Sequence, residues 1–411
     1  MTTDISVDLT DPALYSEGEP HHVWHELRVH APVRRQPVPE SDTWYWAVTR
    51  YADVERVLHD YTSFTSERGT LRNLLGQGGD PAAGQQLAAT DPPRHDRMRT
   101  PLKKALAARP LEAYADRIRA GIRDLLAPGA DGDAFDFAEA MSRLPLVALA
   151  PILGLPVGDH ARLIRLANMS TAEEDPEFQL PGGIAPTLKQ GHREIFAYFS
   201  DLVRHRTRVP GDDLITALIG TEVDGERLST GSVISNCYSM LLGSAGTLPH
   251  VPTAAVLELA GTDAYADWAA HPELLDSGVE EALRWATPAS NFMRYALHPL
   301  ELSGVRIAEG DAVVAYLAAA NRDPDMFTDP QVFDIRRRPN RHLAFGVGHH
   351  YCVGSHLARL ALRLLFTELF ALFSAIDVVG EPERMQSTFL SGFKRVSVIG
   401  QPRRERLEER E

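Results

Sequence analysis

The sequence predicts a mainly α chain with small β-sheets, an α+β fold in which helix clearly outweighs strand. Three observations carry this. Long segments repeat apolar residues at helical spacing, alternating segments are short and scattered, and no composition break marks a linker. One domain over residues 1–411 is therefore expected, with the first residues and a disordered tail at about 402–411 frayed at its ends.

The elements follow in order. Trp44, Trp46 and Val48 alternate with other residues, which suits a strand with one buried face. Residues 110–126, 188–206 and 272–285 have the pattern of helices. Pro110 and Pro272 suit first turns, where a missing N–H costs nothing, and Pro288 stops continuation beyond Trp285. A long apolar helix is expected over about 232–259. Residues 305–316 read as a β-hairpin turning at Glu309-Gly310.

Composition narrows the function. Apolar residues at 44% and charged residues at 24% are ordinary for a globular protein. A net charge of -14 argues against a general polyanion binder, so no nucleic-acid partner is expected. Two cysteines, Cys237 and Cys352, make no disulfide scaffold. Met1-Thr-Thr-Asp lacks a basic region followed by an apolar run, and no stretch approaches the roughly 20 apolar residues of a membrane span. A cytoplasmic location without a membrane partner is the expectation.

The most informative segment is Phe345-Gly-Val-Gly-His-His-Tyr-Cys352-Val-Gly354. Its glycines permit backbone shapes that other residues resist. Leu357, Leu360 and Leu364 follow at helical spacing, so Cys352 falls at a helix N-terminus. Free N–H groups and the helix dipole there should depress the cysteine pKa and favour thiolate.

This segment resembles the cytochrome P450 haem-binding pattern at every fixed position: Phe345, Gly346, Gly348, His350, Cys352 and Gly354. The resemblance runs from about residue 44 to 398. It implies haem b between the long central helix and the Cys loop, with Cys352 as the axial iron ligand. Glu281-Ala-Leu-Arg284 matches the family's Glu-x-x-Arg signature; the i, i+3 spacing puts both groups on one helix face. The resemblance implies that this pair is buried and locks the loop before the haem, with Arg337 as a third member. It also implies that His95, Arg99, Arg294 and His350 bind haem propionates.

The central helix departs from the pattern. It reads Ala245-Gly246-Thr247-Leu248-Pro249-His250, where most relatives follow Ala-Gly-x with an acid and a threonine. Leu248 cannot carry a proton, and Pro249 lacks even an N–H. Pro249 and Pro252 should also open the helical ladder at the carbonyls of Ala245 and Leu248. Thr247, Ser244 or His250 would then relay protons, the substrate would organise water, or the reaction would need neither.

By resemblance the pocket is lined by Leu242, Ala289, Asn291, Phe292 and Leu390, with the turn Phe389-Leu390-Ser391 contributing. Further lining is expected from about residues 64–87 and 169–186. Gly78 and Gly79 are candidate hinges, and Asn291 and Arg72 candidate polar anchors. No flavin- or nicotinamide-binding segment is found, so electrons would come from a ferredoxin and its ferredoxin reductase. Arg336, Arg338, Arg341, Arg359 and Arg363 form a basic cluster suited to docking an acidic partner. The reading is a haem-thiolate monooxygenase or oxidase that uses O₂ to tailor a natural product. The substrate is a small molecule or peptide, free or bound to a carrier protein. The alternatives are radical coupling of aromatic residues and a non-catalytic helper.

Overall fold

The computed structural model describes residues 7–18, 20–223 and 225–403. Residues 1–6, and the expected tail from 404 onward, lie outside the described residues. Pro402 and Arg403 are not part of a frayed end: Pro402 closes a strand, and the Arg403 N–H donates to the Leu372 carbonyl at 2.9 Å.

The main sheet has five strands: β1 (Val33–Pro37), β2 (Trp44–Val48), β3 (Phe64–Thr65), β4 (Asn291–Ala296) and β5 (Ala312–Tyr316). Their spatial order is β1-β2-β5-β4-β3. Every residue of β5 is buried, and its Ala-Val-Val-Ala-Tyr sequence needs neighbours on both edges. It finds them in β2, parallel with Val313 opposite Trp46, and in β4, antiparallel with Val314 opposite Met293.

The hairpin expected at 305–316 does not form. Val305–Ile307 pairs instead with Leu300–Leu302. Gly310 does turn the chain at φ 84, but the turn passes β5 to the main sheet. Asp311 fixes it by accepting from the Ala308 N–H and from the Trp46 indole, both at 2.9 Å.

Helices form the rest of the frame: α1 (Arg94–Ala105), α2 (His160–Thr171), α3 (Ile184–Arg208), α4 (Thr230–Ala245), α5 (His250–Leu259), α6 (Leu275–Ala286) and α7 (Ser355–Leu372). On α6, Val279, Ala282, Leu283 and Ala286 form one buried stripe, packed in a common core with Leu241 of α4 and Leu357 and Leu365 of α7. The helix expected at 110–126 is divided into Ala108–Leu111, a 3₁₀ turn at Glu112–Tyr114, and Ala115–Leu126. The helix expected at 272–285 opens with a 3₁₀ turn, Pro272–Leu274, before α6. The long central helix is two helices, α4 and α5, because Pro249 cannot donate to the Ala245 carbonyl.

Candidate active site

The Cys loop is closed by its own backbone. Gly346 and Gly348 sit at φ 67 and 73, where a side chain would be strained. The Cys352 N–H donates to the Phe345 carbonyl at 2.8 Å, and Ser355 begins α7. A cavity of about 560 Å³ opens on Cys352, lined also by Arg99, Lys103, His349, Tyr351, Val353 and His356.

Cys352 is exposed on that side. Burial pushes the thiol up, against the backbone N–H groups of Gly354 and Ser355 and the charges of Arg99 and Arg359. The N–H donors expected at the helix N-terminus are present and act against this desolvation. A bound metal cation would reverse the balance, since a coordinating thiol is deprotonated outright.

A row of basic side chains runs beside the loop. His95 is fully buried; its Nδ1 bonds the Asp96 carboxylate at 3.0 Å, and its Nε2 is left without a partner. His350 lies 4.4 Å from it, ring to ring. Burial pulls the His350 imidazole down to about 4, with Arg294 and His95 adding and Asp91 opposing. Arg294 is buried and donates to the carbonyl of its neighbour Met293; burial lowers its guanidinium to about 10, with Asp91 offsetting. Arg99 donates to the Tyr351 carbonyl at 2.5 Å and acts on both His95 and Cys352. Buried cations and donors are normally paired. This row, with the orphaned His95 Nε2, is short of anions and fits a group carrying two carboxylates beside the sulfur.

Glu281 and Arg284 are both fully buried and meet in a two-pronged pair at 2.7 and 2.8 Å. Glu281 also accepts from Arg337 at 3.1 and 3.2 Å, Asn340 at 3.1 Å and the Asp334 N–H at 2.9 Å. Asn321, which sequence reasoning missed, links this network to the loop: its carbonyl accepts from Arg284 at 2.9 Å, and its side-chain oxygen from the Leu343 N–H at 2.7 Å. Glu280 was also missed. It receives two bonds from Arg359 at 2.6 and 2.7 Å; burial opposes its charge, yet Arg359 and His342 hold its carboxyl down to about 2.

The chain rewinds between α4 and α5. The N–H groups of Thr247 and Leu248 both point to the Ser244 carbonyl, at 3.3 and 3.1 Å. This directs the Thr247 hydroxyl to the Gly243 carbonyl at 2.5 Å. Open space faces Gly243 (no atom lies within 4 Å of where a Cβ would stand), and Thr247 is half-buried. Leu248, Pro249 and His250 are buried, Leu248 within the main core. The Thr247 hydroxyl is thus held by its own helix turn, while Leu248 and Pro249, which take the places of the acid and the alcohol, are buried. Ala245 is buried. Gly246 has no room for an acid either, since a Cβ there would meet Thr171 Oγ1 at 3.2 Å.

Nor does His250 serve as a relay. Its Nδ1 has no partner, its ring packs on Gly392, and burial brings it down to about 4. Unfolding frees this imidazole to take up a proton at its ordinary value near 6.5, so stability intact above that pH is lost as the pH falls towards 4. At about pH 5 the loss from this group should be about 2 kcal/mol. Urea denaturation of His250→Leu should therefore show a shallower pH dependence than the parent; equal slopes would refute this.

Of the pocket residues, Leu242 is half-buried on α4, Ala289 bridges Leu390 through the backbone, and Phe292 meets Phe389 at 5.8 Å. Asn291 is no anchor: its amide donates to Ser290 Oγ and the Thr388 carbonyl, both at 2.8 Å. Arg72 is also committed, to Glu174 at 2.8 Å and to the Thr388 hydroxyl. The arginine cluster is largely neutralised. Arg336 is paired with Asp267, Arg359 with Glu280 and Arg363 with Asp276, and Arg337 is buried on Glu281. Arg338 and Arg341 remain exposed, without an ion pair among the described residues.

The chain is 31% identical to cytochrome P450 NovI of Streptomyces niveus over 398 residues, covering 95% of this chain and 96% of that one. The chain belongs to the cytochrome P450 family. The family model described as Cytochrome P450 matches residues 210–398. The steroid C26-monooxygenase of Mycobacterium tuberculosis is 31% identical, covering 94% of this P450 and 91% of its relative. The crystal structure of P450 OxyD, involved in the biosynthesis of vancomycin-type antibiotics, superposes with a TM-score of 0.86 at 32% identity, covering 97% of this chain and 100% of that one. This P450 is thus an oxidoreductase of a haem-containing family whose members act on small molecules and draw on redox partners. No helix among its described residues is long and apolar enough to cross a membrane.

Proposed function

We propose that the protein is a haem b monooxygenase that tailors a natural product, using dioxygen and electrons from a ferredoxin and its reductase in the cytoplasm. The observation that carries this is Cys352 at the head of α7 beside a buried basic row with too few anions. The Cys352 sulfur would hold the iron, and His95, Arg99, Arg294 and His350 would hold the two carboxylates, with Phe345, Gly346 and Gly354 shaping the loop around them. A haem so held supplies dioxygen activation and transfer of one oxygen atom to the substrate.

The remaining chemistry falls to the chain. Thr247 Oγ1, which donates to the Gly243 carbonyl, would hold and pass a proton. This hydroxyl favours oxygen transfer over the coupling of aromatic residues, which would need no such group. A helper would need neither Cys352 nor the basic row. Lys103, Arg338 and Arg341 are the cations that would receive an acidic ferredoxin. NovI and the OxyD of vancomycin-type antibiotic biosynthesis support a natural-product substrate, free or carrier-bound.

Turnover under ¹⁸O₂ tests the reading. One labelled oxygen in the product is expected, and Thr247→Val should lower product formed per electron consumed several-fold. A product that has lost two hydrogens and gained no label would overturn it.

A further inference from the structure

We propose that Glu173 is the recognition group for a basic amine on the substrate, an assignment that rests on the substrate-oxidising role proposed above. α2 ends at Thr171, and the next residue, Ala172, is buried with Met385 and Leu390, against Phe178 and Phe389. Leu390 bridges Ala289, and Phe389 meets Phe292. The apolar wall expected to take the substrate therefore runs directly into the chain at Ala172, and Glu173 follows it.

The other polar groups of this roof are committed. Arg72 is bound to Glu174 and Thr388. Glu174 also accepts from the Thr388 N–H at 2.5 Å, and Asp175 from the Gln386 N–H at 2.9 Å and from Lys394 at 3.2 Å. Among the described residues Glu173 has one side-chain donor, Asn73 Nδ2 at 3.2 Å, and it is only 9% exposed. Burial raises its carboxyl above the ordinary range and the Glu174 charge adds to this; its own backbone N–H, Asn73 and the Arg72 charge oppose.

A carboxylate taken from water without a cation is costly, and a cation brought by a ligand removes the cost. The neighbours suit one. Tyr238 of α4 lies in the fields of Glu173 and Asp80, which with burial raise its phenol. Its ring stacks on Phe196 of α3 at 4.8 Å, and its hydroxyl makes no hydrogen bond among the described residues. Burial keeps His192, edge-on to Tyr238 at 5.7 Å, towards its neutral form, so it does not compete for the carboxylate. An ammonium could thus meet Glu173 with aromatic faces nearby, while the body of the substrate lies on Ala289, Phe292 and Leu390.

Equilibrium dialysis of the haem-loaded protein with 4-phenylbutylamine and the neutral 4-phenylbutanol tests this. The amine should bind more tightly than the alcohol. Glu173→Gln, which keeps the shape and the acceptor for Asn73, should weaken the amine by at least about tenfold and leave the alcohol unchanged. Three results would overturn the assignment: no amine preference in the parent, no loss in the variant, or an equal loss for both probes. A Soret shift to longer wavelength that Glu173→Gln leaves untouched would place the amine on the iron and also overturn it. The carbon monoxide spectrum of the same samples reads haem–thiolate ligation independently, so failure of the proposed function is seen separately.

Discussion

Glu281→Gln is expected to destabilise the protein by about 3–5 kcal/mol, the usual result of breaking a buried ion pair from one side. The carboxylate faces two guanidiniums, and among the described residues neither is ion-paired with another carboxylate. Arg284 spends further bonds on the carbonyls of Asn321, Pro330 and Val332, which hold it where the lost charge would leave it uncompensated. The amide keeps the size of the carboxylate, so the loss measures charge and not volume. Urea denaturation at neutral pH reads it directly; a change below about 1 kcal/mol would mean that the network is worth no more than an exposed pair. Because Asn321 ties the network to Leu343, the variant should also lose haem more readily.

Cys352→Ala should do the reverse, leaving the fold intact and abolishing substrate oxidation. The bonds that close the loop are backbone bonds: Tyr351 to Gly348, Cys352 to Phe345 and Ser355 to Cys352. All survive loss of the sulfur, which faces the cavity. Thermal unfolding of the haem-free variant should therefore stay close to that of the haem-free parent, while turnover falls to background and the thiolate-type carbon monoxide band disappears. Retained turnover would remove Cys352 from the reaction.

Local patterns were legible in the sequence. The spacing of Glu281 and Arg284, the glycines around Cys352 and the alternation at Trp44 and Trp46 each act within a few residues. What failed depends on distant parts of the chain. Gly310 turns the backbone, but the neighbours of β5 come from Trp46 and Met293, so a hairpin read from the turn alone was wrong. Arg336, Arg359 and Arg363 formed a basic cluster on paper, yet their acids lie 69, 79 and 87 residues away. The break at Pro249 was visible, but the bearing of its side chains was not. The rewound turn leaves Thr247 half-buried and sends Leu248 into the core.

The roof contacts carry a consequence for biosynthesis. Thr388 follows Arg72 by 316 residues, and Glu174 lies between them, bonded to both. A ribosome adds residues one at a time, so this fastening cannot form until residue 388 has left it. This side of the pocket is therefore among the last parts of the molecule to be secured.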